Sequence, residues 1–333
     1  MLKIGLAGTG YLGKIHLKCI KALEDKYDFV GFYEIDEQRR KEVAEETGIT
    51  PFDSFEALLK EVDLVDIVTT TETHYALAKK ALESGKHVFI EKPITANLED
   101  AQTLFAMVKE SGLKLQVGHV ERFNPAFLVL RDKKLNPMFI ESHRLAGFNP
   151  RGNDVSVVKD LMIHDIDVIL SVVPSTVKQV SASGVSVLTD NIDICNAQVE
   201  FENGCIANIT ASRVSLKQMR KLRLFQPDSY LSVDFLKKET QWIHKVDSDF
   251  EPEGIEDAFF LDLEGDDKKL LIQQEKVEEV NAIRMELSEF ADSITKDTKE
   301  VVSVDDAVRS LELAQTIEDA VKARLNKYEK SKI

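Results

Sequence analysis

Over the first 120 positions, apolar residues fall into short continuous runs separated by stretches of helical spacing, the pattern of strands buried on both faces. The runs are Lys3 to Ala7, Phe29 to Ile35, Leu64 to Val68, Val88 to Ile90 and Leu115 to His119. Helices are predicted from the first run to about Glu24, across Val43 to a stop at Gly48, and over Ser54–Glu61, Tyr75–Ser84 and Asn97–Ser111. Strand–helix alternation of this kind predicts a doubly wound α/β domain over residues 1–120 with a parallel sheet. Beyond it the pattern changes. Phe139–Leu145 is a predicted strand, Ser156–Asp167 has helical spacing, and from Val177 onward apolar and polar positions alternate with period two. Ala197–Glu202 and Cys205–Ala211 flank Asn203-Gly204, a hairpin turn, and Leu222–Gln226 and Tyr230–Phe235 flank Pro227 and Asp228. Asp247–Asp257 is an acidic stretch expected to be a solvated loop, Asn281–Thr295 and Asp305–Tyr328 are predicted helices, and the chain end should fray. Residues 121–333 are thus expected to form an α+β domain with a large open, mostly antiparallel sheet. Helices would cover one face of it, and its size suggests a homodimer or homotetramer built through the other.

Candidate chemistry begins where the first strand ends. Gly8-Thr9-Gly10-Tyr11-Leu12-Gly13 is a G-x-G-x-x-G turn with a strand before it and a helix after it. In that context Gly8 permits the tight turn, Gly10 lets backbone approach a pyrophosphate, and Gly13 allows close helix–strand packing, while the helix N-terminus offers N–H groups to phosphate. This is a Rossmann dinucleotide site. Glu34 ends the second strand about 20 residues later, where a carboxylate accepts the ribose hydroxyls and repels a 2′-phosphate. NAD is therefore expected over NADP, with Asp36 a rival for the role and Arg39 and Arg40 as features that favour NADP. Thr70 and Thr71, in the run Thr69 to His74, place small hydroxyl side chains at the third strand end, on the nicotinamide side. His74 is assigned no chemistry.

The fourth run ends abruptly in Glu91-Lys92-Pro93. Charges at the carboxyl end of a parallel strand lie where open α/β sheets bind ligands, and the proline restricts Lys92 to extended backbone. The competing reading is a strand that ends in solvated charges. Further on, Asp160 and His164 are one helical turn apart on one face, a spacing that lets a carboxylate orient an imidazole as a general base. The competing reading is a solvated surface pair.

Length and composition narrow the setting. At 333 residues the chain predicts two domains, and the run lengths contain neither a membrane span nor a signal peptide. Cys19, Cys195 and Cys205 are odd in number and lack metal spacing, so no metal is expected and a cytoplasmic location is. A formal net charge of −15 argues against nucleic acid and anionic membranes as partners. It does not exclude a small anionic ligand in a local basic pocket. Arg122, Arg144 and Arg151 follow strand ends or loops leading toward the Asp160–His164 helix and are candidate phosphate ligands, with Asn124 beside them. Arg213 and Arg220 are more remote candidates.

Together the glycine turn, Glu91-Lys92-Pro93 and Asp160-x-x-x-His164 ahead of a large sheet resemble the Gfo/Idh/MocA oxidoreductase family across nearly the whole chain. The resemblance implies a sugar or polyol dehydrogenase in which Lys92 polarises the substrate oxygen, His164 takes its proton and Asp160 orients substrate or His164. Met162 stands where some relatives have glycine, which narrows the pocket. Gly118-His119-Val120-Glu121-Arg122-Phe123-Asn124-Pro125 and Asp160 to Asp167 look like the branch that oxidises the 3-hydroxyl of UDP-N-acetylglucosamine. The expected partner is thus a sugar or nucleotide-sugar substrate. Alternatives are a dehydrogenase of a free sugar or inositol, a dinucleotide-bound sensor or scaffold without catalysis, and a glycosidase that uses NAD transiently.

Overall fold

The computed structural model describes residues 1–149, 155–227, 229–251, 258–263 and 267–330. In chain order its first elements are β1 (Leu2–Ala7), α1 (Tyr11–Lys21), β2 (Tyr27–Tyr33), α2 (Glu37–Thr47), α3 (Phe55–Glu61), β3 (Leu64–Ile67), α4 (Thr71–Glu83), β4 (His87–Glu91), α5 (Leu98–Ser111) and β5 (Leu115–Gly118). A 3-10 turn at Val120–Phe123 leads to α6 (Pro125–Leu128), β6 (Phe139–Leu145), a π turn at Val158–Met162 and α7 (Ile163–Val172). Then follow β7 (Val177–Val185), β8 (Ile194–Phe201), β9 (Ile206–Ser212), β10 (Met219–Gln226), β11 (Ser229–Asp234), β12 (Glu239–Asp247), β13 (Ala258–Asp262), β14 (Lys268–Glu275), α8 (Ala282–Thr295) and α9 (Val304–Lys330).

The first compact unit comprises Met1–Phe123 and Asn281–Leu311. Its five strands are all parallel in the order β2-β1-β3-β4-β5, so the chain changes direction between β1 and β3. A crevice opens outside the strand ends at such a switch point. The helices start and stop where local chemistry predicts. Asp36 and Asn97 accept hydrogen bonds from the Arg39 and Asp100 N–H groups, and α2 and α5 end on Gly48 and Gly112 at φ +68° and +69°. The sequence-based division at 120/121 lies close to Phe123, but it assigned α8 to the second domain. In the structure the apolar face of α8, with Leu287, Phe290 and Ala291, packs on Ile4, Ile20, Leu64 and Phe89. Periodicity identifies such a face without identifying the surface it covers.

The second unit comprises Asn124–Val280 and Glu312–Ile333. Its nine-stranded sheet has the order β13-β14-β12-β11-β10-β6-β9-β8-β7, antiparallel throughout except for β6 beside β9. Strands β12, β13 and β14 were not recognised in the sequence, and Asp247, expected to open a loop, ends β12. One face of the sheet is the core, where Ile166, Ile169, Ile317 and Val321 join Val199, Phe201, Leu222, Leu224, Leu231 and Val233. On the other face an apolar row crosses the strands in register: Ile206, Phe139, Phe225, Tyr230, Ile243, Ile272 and Phe259. Aromatic contacts run along it, with Phe225 stacked on Tyr230 at 5.3 Å. Phe259 is 57% exposed.

Candidate active site

The first unit contains a cavity of about 530 Å³ at the switch point between β1 and β3. Of the residues expected to bind a dinucleotide, Gly8, Gly10, Tyr11, Leu12, Glu34, Thr70, Glu91 and Lys92 line it. The glycines divide their work as the motif predicts. Gly8 takes φ +91°, and a Cβ there would lie 2.5 Å from the Val68 carbonyl oxygen; one on Gly13 would lie 2.2 Å from the Gly8 carbonyl oxygen. Nothing lies within 4 Å of where a Gly10 Cβ would be, so protein packing does not demand glycine at that position. Open space there is what the close approach of a pyrophosphate requires.

Glu34 is 4% exposed and its carboxylate is fixed from both sides. Oε2 accepts hydrogen bonds from the Thr9 N–H and hydroxyl at 2.8 and 3.0 Å, and Oε1 accepts one from the Asp36 N–H at 3.1 Å. Thr9, expected to touch cofactor, is fully buried and instead holds Glu34. Asp36, the rival, caps α2 and is absent from the cavity lining. Arg39 lies in the cavity wall with Nη1 3.8 Å from the Glu34 carboxylate, while Arg40 is absent from the lining. Tyr33, Ile35, Val68 and Leu77 supply apolar wall that motif reading did not identify. For Tyr33, Ile35 and Val68 the signal in the sequence is proximity to strand ends; Leu77, inside α4, carries none.

The far side of the cavity is built by the start of α4. The Thr73 hydroxyl donates to the Thr70 carbonyl at 2.8 Å and lies 2.7 Å from the Thr69 hydroxyl; Thr71 begins the helix and does not line the cavity. His74, given no role from sequence, is buried with its ring nitrogens 2.9 Å from the Pro93 carbonyl oxygen and 3.2 Å from that of Thr69. Burial lowers its pKa, and a neutral ring ties α4 to the segment after Lys92. Lys92 itself is half-buried in the cavity wall, precedes a cis peptide bond to Pro93, and donates its N–H to the Glu91 carboxylate at 3.2 Å. That carboxylate crosses the neighbouring β5 over Gly118, where a Cβ would stand 2.6 Å from Oε1.

In the second unit Asp160 and His164 are both half-buried. Asp160 belongs to the π turn rather than to regular α-helix, and His164 lies just inside α7. A π turn within a helix is a frequent marker of functional sites. Two expected ligands need correction. Arg144 is 2% exposed: its Nε and Nη2 donate to Asp165 at 2.6 and 3.3 Å, and the guanidinium lies over Phe235. Its fork is engaged by a buried carboxylate, not presented to a ligand. Asn124 caps α6 through its side-chain oxygen, and its amide donates to the Phe235 carbonyl at 3.2 Å. Arg122 is half-buried in the 3-10 turn, and Arg151 lies outside the described residues. Arg213, the more remote candidate, is likewise buried, bonding the Val155 and Ile192 carbonyl oxygens beside Asp193.

Family sequence models match at two places: an oxidoreductase family with NAD-binding Rossmann fold over residues 2–119, and the GFO/IDH/MocA C-terminal domain over residues 141–225. The chain belongs to the Gfo/Idh/MocA oxidoreductase family. Within that family it is 40% identical over 245 residues to a UDP-N-acetylglucosamine 3-dehydrogenase from Acidithiobacillus ferrooxidans, covering 73% of this chain and 77% of the relative. A solved structure of UDP-N-acetylglucosamine 3-dehydrogenase from that organism superposes with TM-score 0.86 at 33% identity, over 97% of this chain and 98% of the other. The fold is also shared, at 20% identity and TM-score 0.75, with scyllo-inositol dehydrogenase from Lactobacillus casei, solved with bound NAD(H) and scyllo-inositol. That match covers 97% of this chain and 98% of the other.

The cavity of this Gfo/Idh/MocA member suits NAD on its own chemistry. The open space at Gly10 and the start of α1 suit the diphosphate, and the Glu34 carboxylate suits the adenosine ribose. The threonine-rich end and Lys92 remain for the nicotinamide half. When bound, NAD supplies the hydride acceptor. Among the described residues no helix is long and apolar enough to cross a membrane.

Proposed function

We propose that this protein is an NAD-dependent dehydrogenase that oxidises the 3-hydroxyl of UDP-N-acetylglucosamine to a ketone. One observation carries the reading. The chain is 40% identical to a UDP-N-acetylglucosamine 3-dehydrogenase, and it carries Lys92 in the wall of its cofactor cavity and Asp160 and His164 four residues apart. In this reading Lys92 hydrogen-bonds the substrate oxygen and stabilises charge developing on it. His164 accepts the hydroxyl proton, Asp160 orients His164 or the sugar, and hydride leaves the same carbon for the nicotinamide ring. Arg122 and Arg151 are the proposed diphosphate ligands, as arginines on segments leading toward the Asp160–His164 helix. The test compares rates with UDP-N-acetylglucosamine, free N-acetylglucosamine and myo-inositol at equal concentration, followed by reduced-nicotinamide absorbance. The nucleotide sugar should be fastest. A free sugar or polyol that matches it would replace this assignment with a general sugar dehydrogenase. Sugar cleavage without accumulated reduced cofactor would point to an NAD-using glycosidase.

The same reading includes a homo-oligomer formed through the open sheet. Its support is the apolar row from Ile206 to Phe259, which lies on the sheet face opposite the core and ends in the exposed Phe259. Placing lysine at Phe225 should dissociate the assembly in sedimentation, whereas an unchanged mass would put the interface elsewhere. The setting proposed is the cytoplasm. Cys19, Cys195 and Cys205 are free and buried, and burial pushes the Cys195 thiol up to about 12. Cysteines of that kind suit a reducing compartment.

A further inference from the structure

Glu91 lines the cofactor cavity and also belongs to a buried polar cluster for which the proposed reaction has no use. His16 on α1 is fully buried, with Nδ1 2.9 Å from Asp66 of β3 and Nε2 3.2 Å from Glu91 of β4. Glu286 of α8 is also fully buried. The donor atoms of His16, Glu91 and Glu286 lie within 4.8 Å of one another. Neither carboxylate oxygen of Glu286 has a hydrogen-bond partner among the described residues.

Electrostatics restricts what this arrangement can be. Glu91 and Glu286 sit side by side out of water, and two carboxylates that share such a site do not both ionise. His16 lies between Asp66 and Glu91, so it is the group that carries positive charge. Burial opposes that charge, but Asp66 and Glu91 outweigh it and raise the ring's pKa well above its ordinary value. For Glu91, burial is likewise outweighed, by His16 and then by Lys92, and its carboxyl stays anionic. For Glu286, burial first and then the Glu91 charge outweigh the opposing His16 charge and, with Asp66, push it well above the carboxylate range. Other titratable or charged groups near the cluster include Cys19 of α1, Tyr27 of β2, Arg284 and Asp292 of α8, and Glu121 and Arg122 of the 3-10 turn that packs against α8. Tyr27 donates to the Leu287 carbonyl at 2.6 Å, and neither it nor Cys19 offers Glu286 a charge to pair with. Gln116 of β5 donates to the Glu286 backbone carbonyl, not to its carboxyl group.

We propose that Glu286 is a neutral carboxylic acid that donates a hydrogen bond to Glu91, and that it thereby positions Lys92. Glu91 holds the Lys92 N–H through Oε2 and faces His16 through Oε1. A proton on Glu286, with a carboxylate oxygen within 4.8 Å of one on Glu91, would supply the donor from α8 that completes the set holding this carboxylate over Gly118. Glu286 is then a positioning residue acting through Glu91, and its effect on turnover rests on the dehydrogenase reading above.

The experiment uses the full chain in two variants. Glu286→Gln keeps a neutral donor of the same shape, and Glu286→Leu removes it. Infrared difference spectra at neutral pH, with or without NAD and without sugar, should contain a protonated carboxyl band in the parent that Glu286→Gln abolishes. Turnover with UDP-N-acetylglucosamine should stay within about threefold in Glu286→Gln. In Glu286→Leu it should fall on the order of tenfold to a hundredfold while NAD affinity stays within a few-fold, as for a misplaced catalytic group. A cooperative melt for each variant separates loss of position from loss of fold. The proposal is overturned if the band is missing, if Glu286→Gln is as damaging as Glu286→Leu, or if the parent holds a stoichiometric divalent cation that Glu286→Gln loses. Because the band is read without sugar, a wrong substrate assignment leaves that part of the test intact.

Discussion

Replacing Glu34 with glutamine should shift cofactor choice toward NADP, and the structure sets the size of the shift. The carboxylate is 5% exposed and pinned by Thr9 and Asp36, so it cannot turn away from a 2′-phosphate in the cavity. Unit charges 4 Å apart interact by about 4 kcal/mol at an effective dielectric of 20, and less toward the open mouth of the cavity. Removing this repulsion also releases Arg39, 3.8 Å away, to meet the phosphate. The Arg39 side chain is 49% exposed, so solvent discounts that second contribution to about 0.5 kcal/mol. Together the two effects favour NADP relative to NAD by about 2–3 kcal/mol, or roughly 30- to 160-fold in the ratio of kcat/KM values. The glutamine oxygen can still accept from the Thr9 N–H, so the variant should melt cooperatively. Steady-state kinetics with both cofactors measures the ratio directly. Adding Arg39→Ala should return part of the shift. A ratio that moves less than threefold in Glu34→Gln would show that Glu34 does not face the ribose 2′ position.

Lys92→Met should lower turnover by about 3 kcal/mol of barrier, roughly a hundredfold or more, with NAD affinity by titration within a few-fold; retained turnover would return Lys92 to a plain strand-end charge. His164→Asn should slow oxidation by about 10²–10⁴-fold and flatten the rise of kcat/KM with pH, because only the neutral imidazole accepts the proton; an unchanged profile leaves the base elsewhere. Asp193 is fully buried, receives the N–H groups of Val187, Leu188 and Thr189 at 2.8, 2.6 and 2.9 Å, and pairs with Arg213 at 3.1 Å. Burial raises its pKa, but these donors outweigh it and hold the carboxyl far below the usual range. A depressed carboxylate contributes stability that is present above its unfolded pKa, about 4, and lost as pH falls through the folded one. Asp193→Asn should therefore cost about 3–5 kcal/mol in denaturant unfolding at neutral pH, with the difference from the parent narrowing in acid. A constant difference down to low pH would contradict this.

The parts of the fold legible in sequence are those set by neighbours along the chain. The Gly8–Gly13 turn, the helix start at Asn97, the stop at Gly48, and the buried parallel strands all depend on contacts a few residues away or on one period of apolar spacing. The place of Glu34 in the cavity wall was legible for the same reason, since it follows from the distance to the glycine turn. The strands β12 and β14 were missed because polar residues such as Gln241, Lys245, Gln273 and Gln274 interrupt their apolar positions, and β13 because its apolar run, Ala258 to Leu261, is only four residues long. The protein partners that engage Arg144 and Asn124 were not legible for another reason. A long or polar side chain near a strand end was read as available, and availability depends on Asp165 and Phe235, whose nearness only the tertiary fold decides.

Asp66 marks the boundary between these two kinds of information. It stands in the middle of an apolar parallel strand, Leu64-Val65-Asp66-Ile67, and a carboxyl group there must take either a partner or a proton. That much is readable from four residues, although the identity of the partner is not. His16, one helical turn beyond Gly13, faces Asp66 because close packing of α1 on the sheet requires glycine at 13. Glu286 carries no comparable mark. It lies in an amphipathic helix, where an acid is ordinarily solvated, and α8 meets β5 across 170 residues of chain between Gln116 and Glu286. A single buried acid therefore announces itself through its own strand. A pair of them does not, because the second arrives on an element whose destination is settled by Leu287, Phe290 and Ala291 on its apolar face.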